Sequence, residues 1–275
     1  KRCLFMYKKW FLLISTLIVS FFLVACQSSS PNSQSALETI KQKGKLVVAT
    51  SPDYAPFEFQ ALLDGRNQVV GADIDMAQAI ADELGVKLVI STMSFDNVLT
   101  SLHTGKADLA IAGISATDER KEVFDFSIPY YENKASFLIR KGDLDKYKDL
   151  NSLASASIAA QKGTVPESMV KEQLPEAKLV SLSNMGEAVN ELQSGKVDAV
   201  HMDEPVALSY ATKNSDLQVA SVSLTMNEGE ANAVAIRKGN EDLKAVVDKV
   251  IQKLKDEGTY QTYLEKAAKL TEVEQ

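Results

Sequence analysis

Leu102-His103-Thr104-Gly105-Lys106-Ala107-Asp108 returns as Leu192-Gln193-Ser194-Gly195-Lys196-Val197-Asp198, an offset of 90 residues. Each copy reads as a helix end, a glycine stop and a strand that opens on an aspartate. Ile139-Arg140-Lys141-Gly142 and Ile236-Arg237-Lys238-Gly239 form a second echo. They close two apolar runs, Ala135 to Ile139 and Ala231 to Ile236, which we read as strands entering each lobe from a hinge. Helix and strand signals alternate along the chain, the pattern of α/β layers. The expectation is an α/β protein of two similar lobes joined by a two-strand hinge. Lobe 1 is assigned residues 37–132 plus 229–275, and lobe 2 residues 133–228.

Local signals support this division. Ser35 with Glu38 forms a capping box that opens the first helix, and Lys45 to Thr50 reads as a strand. Ala72 to Leu84 carries Ile74, Ala77, Ala81 and Leu84 on one helical face and stops at Gly85. Phe95, Val98, Leu99 and Leu102 mark another helix, closed by Gly105. Thr164 and Glu167 form a second capping box with Pro166 in the first turn, and Asn184 with Glu187 starts a further helix. Glu241 to Lys255 carries Leu243, Val246, Val247, Val250, Ile251 and Leu254 at helical spacing.

The stretch Gly113-Ile114-Ser115-Ala116-Thr117-Asp118-Glu119-Arg120 follows a buried-strand run, Leu109-Ala110-Ile111-Ala112. Glycine admits close backbone approach to a ligand. Hydroxyls and an arginine fork suit a small carboxylate. A plain strand-to-helix loop, with Thr117 capping a short helix over Asp118 to Glu122, would show the same residues. The 90-residue repeat places Asp203 where Gly113 stands in the first copy. Both fall at the C-terminal end of their strands, where open α/β sheets bind ligands. Arg120 with Gly113 and Ser115 on one lobe, facing Asp203 on the other, complements a zwitterion such as a free α-amino acid.

Residues 1–25 read as a signal peptide: Lys8 and Lys9, an apolar run from Trp10 to Val24, then Ala25 before Cys26. Met6 is a candidate initiator, in which case Cys3 carries no meaning. The run is short for a membrane span. Residues 26–36 form a polar tether. Cleavage before Cys26 takes the formal net charge from −7 to −11, which argues against nucleic acid as a partner. With no cysteine after Cys26 and two histidines, His103 and His201, no disulfide, metal site or cofactor is expected.

Five ordered motifs carry a family resemblance: Leu46 to Phe59, Gly71 to Ala77, Gly113 to Arg120 with Asp125 to Tyr131, Gly163-Thr164, and Val197 to Asp203. Over Leu37 to Tyr263 the chain resembles the type II periplasmic-binding-protein fold, in the cluster that delivers polar amino acids to ABC transporters. Cys26 resembles the lipobox cysteine that receives a diacylglycerol anchor. The resemblance implies a monomeric extracytoplasmic lipoprotein on the outer face of the membrane. It would close its lobes on a free L-amino acid and pass it to a permease. Arg120 would hold the ligand carboxylate with Ser115, and Thr164 would add a donor on closure. Asp203 would take the ammonium with Gly113 and Ser115. Tyr54 and Phe95 would flank the side chain. Met185, Met202 and Met226 are read as packing residues.

Several relatives that bind basic side chains carry aspartate where this chain has Ser51; here the acid comes two residues later, at Asp53, and in this the chain resembles some arginine binders. Aromatic faces at Tyr54 and Phe95 suit a guanidinium. Arginine is the expected ligand, then lysine, with glutamine or another polar amino acid as the alternative. A dehydratase-type enzyme on the same fold is the reading from another class. It would need Glu58, Asp53 or His201 as an acid or base, and no catalytic motif supports it.

Overall fold

The computed structural model describes residues 35–227 and 231–273. The expected signal peptide, Cys26 and the tether as far as Gln34 lie outside the described residues. Ser35 Oγ accepts the Glu38 N–H at 3.1 Å and caps helix α1 (Ala36–Lys43), so the last two tether positions already belong to the folded body.

Strand β1 (Lys45–Thr50) is followed by a small antiparallel sheet of β2 (Asp53–Tyr54), β3 (Glu58–Leu63) and β4 (Arg66–Val70). Then come α2 (Ala72–Leu84), β5 (Lys87–Thr92), α3 (Phe95–His103), β6 (Leu109–Ala110), α4 (Asp118–Val123) and β7 (Phe124–Phe126). The chain crosses to the second lobe with β8 (Ala135–Arg140), α5 (Leu150–Leu153), β9 (Ser157–Gln161) and α6 (Val165–Gln173). It continues through β10 (Lys178–Leu182), α7 (Met185–Gln193), β11 (Ala199–Asp203), α8 (Glu204–Lys213) and β12 (Leu217–Val219). It returns with β13 (Ala235–Arg237), α9 (Glu241–Asp256) and α10 (Thr259–Val273).

The two large sheets have matching orders, β5-β1-β6-β13-β7 and β10-β9-β11-β8-β12. In each, a central strand runs parallel to its two neighbours, and the strand that crossed from the other lobe lies antiparallel. Helices cover the sheets with apolar stripes at helical spacing. Met76, Ala77, Ile80 and Leu84 of α2 and Leu243, Val247, Val250 and Leu254 of α9 are buried in one cluster with Leu46 and Val48.

Both sequence echoes are parts of one clasp. Asp108 Oδ2 accepts the Val47 N–H at 3.0 Å while its own N–H donates to the Val47 carbonyl at 2.8 Å. Asp198 does the same to Ser157 at 2.9 and 2.7 Å. The echoed arginines close the other side. Arg237 Nη1 donates to the Ala107 carbonyl at 2.7 Å, and Arg140 Nη1 to the Val197 and Leu192 carbonyls, each at 2.7 Å. The clasp pins the N-terminal end of each central strand. The opposite, C-terminal ends are left to face the cleft.

The run expected as a strand from Ala231 to Ile236 is regular only from Ala235. Upstream the backbone alternates between two neighbours. Ala233 N–H reaches the Ile114 carbonyl at 2.9 Å, and Asn232 N–H the Tyr131 carbonyl at 2.8 Å. A segment wedged between the Gly113 loop and the outgoing crossover cannot keep one ladder. Its side chain ties the two crossovers instead: Asn133 Nδ2 donates to Asn232 Oδ1 at 2.6 Å.

Loss of the second-lobe clasp should be felt globally. Arg140→Met removes charge-assisted bonds to two carbonyls, about 1.5–3 kcal/mol, and should lower Tm by roughly 4–10 °C. Lys141→Met, on the exposed neighbour, should stay within about 0.5 kcal/mol. Differential scanning calorimetry separates the two.

Candidate functional site

Between the C-terminal ends of the two sheets lies a cavity lined by Tyr54, Phe95, Ala112, Gly113, Ser115 and Arg120 from the first lobe. Gln161, Thr164, Val165, Pro166 and Asp203 line it from the second. Seven of the expected site residues meet here: Tyr54, Phe95, Gly113, Ser115, Arg120, Thr164 and Asp203. Ala112, Gln161, Val165 and Pro166 were not expected as lining residues: Ala112 and Gln161 come at strand ends without a pattern of their own, and Pro166 was read only as a helix-start signal.

The first-lobe wall is built on Gly113, whose φ of +56° is left-handed. A Cβ there would stand 3.4 Å from the Tyr54 ring, an ordinary contact, so it is the left-handed backbone that favours glycine. Arg120 lies in α4, capped by Thr117. Its Nη1 donates to the Ser115 carbonyl at 2.8 Å and its Nη2 to the Gly163 carbonyl, across the cleft, at 2.9 Å. Its guanidinium carbon is 5.8 Å from the Phe95 ring centroid. These contacts orient the fork.

On the second lobe, Asp203 ends β11 and is 4% exposed. Its N–H donates to Tyr54 Oη across the cleft at 3.1 Å. Burial pushes its carboxyl up to about 7, with the Tyr54 hydroxyl acting in the opposite sense. The Thr164 hydroxyl donates to the Gln161 carbonyl at 2.6 Å and accepts the Glu167 N–H at 3.3 Å. The Glu167 carboxylate reaches back one residue further than a capping box requires, to the Gly163 N–H at 2.8 Å. The first turn of α6 lines the cavity through Thr164, Val165 and Pro166.

Ser51 and Asp53 stand behind this lining rather than in it. Ser51 Oγ donates to Asp53 Oδ1 at 2.9 Å, while Asp53 Oδ2 accepts Gln161 Nε2 at 3.0 Å and the Met185 N–H at 2.9 Å. Burial raises the Asp53 carboxyl, against the lowering effect of these donors. At the rim, Lys162 Nζ meets Asp96 Oδ2 at 3.0 Å. These polar links join the lobes in a closed arrangement.

Beneath Tyr54 and Gly113 lies a buried acidic network. Asp73 Oδ2 accepts the Gly113 N–H at 3.1 Å and the Tyr130 hydroxyl at 2.7 Å, and Oδ1 accepts the Tyr260 hydroxyl at 2.7 Å. Gly71 makes this possible. With φ +132°, its missing Cβ would sit 2.1 Å from the Phe57 carbonyl oxygen. Burial raises the Asp73 carboxyl despite its donors. Glu58 is fully buried, and desolvation with repulsion from Asp73 holds it well above its ordinary 4.5. His201, also fully buried, faces the Pro166 carbonyl through Nδ1 at 3.0 Å, and desolvation lowers it to about 4. Neither group opens onto the cavity, which removes two of the three acid–base candidates of the enzyme reading. Met185 and Met202 are core residues. No cluster of three potential metal ligands occurs among the described residues.

The model of the bacterial extracellular solute-binding proteins, family 3, matches residues 46–269. The chain belongs to this family. An amino acid ABC transporter substrate-binding protein from Streptococcus pneumoniae Canada MDR_19A, solved bound to L-arginine, is 83% identical, with a TM-score of 0.85 over 86% of this chain and 98% of that one. A second from the same source, AbpA, also bound to L-arginine, is 50% identical, with a TM-score of 0.83 over 85% and 98%. The arginine-binding extracellular protein ArtP of Bacillus subtilis is 32% identical over 91% of this chain and 94% of its own. This family member is therefore an extracytoplasmic solute-binding protein of two α/β lobes, not an enzyme.

The buried Glu58 sets a stability test. Because burial holds its carboxyl well above its ordinary 4.5, the unfolded chain ionises it at lower pH than the fold does, and the stability that its protonated form contributes is lost as pH rises from 4.5. Glu58→Gln should be more stable than the native protein at pH 7, with the gap closing as pH falls toward 4.5. Urea melts at both pH values measure it; an unchanged gap would place the carboxyl in its ionised form.

Proposed function

We propose that this protein captures free L-arginine outside the cytoplasm, closes its lobes on it and delivers it to the permease of an ABC transporter. A lipid on Cys26 would hold it, as a monomer, at the outer face of the membrane. The observation that carries this reading is the meeting of Arg120 and Asp203, from separate lobes, on one buried cavity. The arginine-bound relatives at 83% and 50% identity favour that amino acid, with lysine second.

In this reading Arg120 pairs with the ligand carboxylate, aided by Ser115 and by the helix start at Thr164. Asp203 pairs with the α-ammonium, aided by the Gly113 carbonyl and the Ser115 hydroxyl. Tyr54 and Phe95 flank the guanidinium, an attraction of roughly 0.5–2 kcal/mol. Ser51 and Asp53 support the site from behind. Ligand favours the closed form only through contacts that need both lobes.

A thermal-shift screen of residues 35–275 against the common amino acids should single out arginine, because stabilisation follows the excess over Kd. No response to arginine would end this assignment. Arg120→Ala should weaken any amino-acid ligand by more than roughly tenfold, the loss of a charge-assisted pair.

The Asp203 carboxyl adds a pH signature. With its value near 7 before the ammonium arrives, it is increasingly protonated below that pH, and the ligand must displace the proton. Affinity should fall as pH drops below about 7, with proton release on binding, and Asp203→Asn should flatten the profile. Calorimetry in buffers of different ionisation enthalpy reads the proton directly.

A further inference from the structure

Gln161 ends β9, is 1% exposed, and lines the cavity beside Val165 and Pro166. Its amide has a donor end and an acceptor end, and its surroundings decide which faces inward. Nε2 donates to Asp53 Oδ2 at 3.0 Å and lies 3.5 Å from the Ser183 carbonyl. Both neighbours are acceptors, so the NH2 must point at them. Oε1 takes no hydrogen bond from a described residue, yet it is not among the sealed, unpartnered buried atoms. The open space that Gln161 borders is the cavity, which leaves its carbonyl oxygen on the cavity side.

We propose that Gln161 reads the ligand side chain, and that Asp53 acts as a positioning residue that fixes which end of the amide it presents. The inference rests on the arginine reading above and deepens it. A lone acceptor favours a side chain made only of donors. A guanidinium is one, and its charge makes each bond roughly twice as strong as a neutral one. The Asp53 carboxyl oxygen that accepts from Nε2 polarises the amide in the same sense, making Oε1 the better acceptor. A carboxylate side chain is rejected, and an amide or ureido group can offer only neutral donors.

The reader is assembled by closure. Asp53 belongs to β2 of the first lobe, whereas Gln161 and the Met185 N–H that holds the same carboxylate oxygen belong to the second. The Tyr210 hydroxyl adds a further cross-lobe bond, to the Asp53 carbonyl at 3.3 Å. In an open form Asp53 cannot set the amide. Side-chain selection and lobe closure are thus one event.

The test compares arginine with citrulline, its neutral ureido isostere, by calorimetry on the chain from residue 35. The native protein should prefer arginine by at least roughly tenfold. Asp53→Asn can donate to Gln161 and let its amide turn, so that preference should shrink about tenfold or more, chiefly by loss of arginine. Gln161→Met should shrink it too while both ligands still bind through their α-groups. Equal weakening of both ligands in Asp53→Asn would make Asp53 a plain latch, and an unchanged preference in Gln161→Met would remove Gln161 as the reader; either overturns the proposal. If the native protein binds no arginine, the functional reading falls, and this inference with it. Arginine binding with preferences unmoved by the variants defeats the inference alone.

Discussion

An arginine and an aspartate reach one buried cleft from different lobes, and the rest of the molecule serves to bring them there. Burying such groups is costly unless each finds a partner. The Asp203 carboxyl shows that cost in its rise to about 7. A zwitterionic ligand supplies both counter-charges together, and only when the lobes are shut. Closure and binding are then two sides of one equilibrium, in which the ligand acts through its differential contacts with the two forms.

The scaffold meets this demand by using one clasp twice. Asp108 with Arg237, and Asp198 with Arg140, fasten the N-terminal ends of β1 and β9 through equivalent backbone atoms. This sets both central strands with their C-terminal ends toward the cleft. On the first lobe a second layer lies beneath. Asp73 gathers the Gly113 loop, Tyr130 near the outgoing crossover and Tyr260 of α10 onto one carboxylate. The loop that lines the cavity is thereby fastened to the hinge and to the C-terminal helix.

Much of this was legible in the chain because its signals are local. Glycine stops, caps and apolar periodicity marked α1 to α4, α6, α7 and α9, though not α5, α8 or α10, and the 90-residue repeat pointed from Gly113 to Asp203. What was not legible depends on partners distant in sequence. Asp53 was expected against the ligand, but Gln161 and Met185, over 100 residues away, claim its carboxylate. Gln161 itself ends a buried strand, and nothing in its flanks marks it as a lining residue. Ala231 to Ile236 reads as one apolar strand, and only the wedge between two other segments divides it.

The central claim is that residues 120 and 203 hold opposite ends of one ligand. The most direct test is calorimetry of Arg120→Ala and Asp203→Asn against arginine, arginine lacking its carboxylate and arginine lacking its α-ammonium. Each variant should lose affinity for the ligand that retains its partner group, and be indifferent, within about twofold, when that group is already missing. Equal losses on all three ligands would show that the two side chains support the cleft without gripping the zwitterion, and would contradict the account.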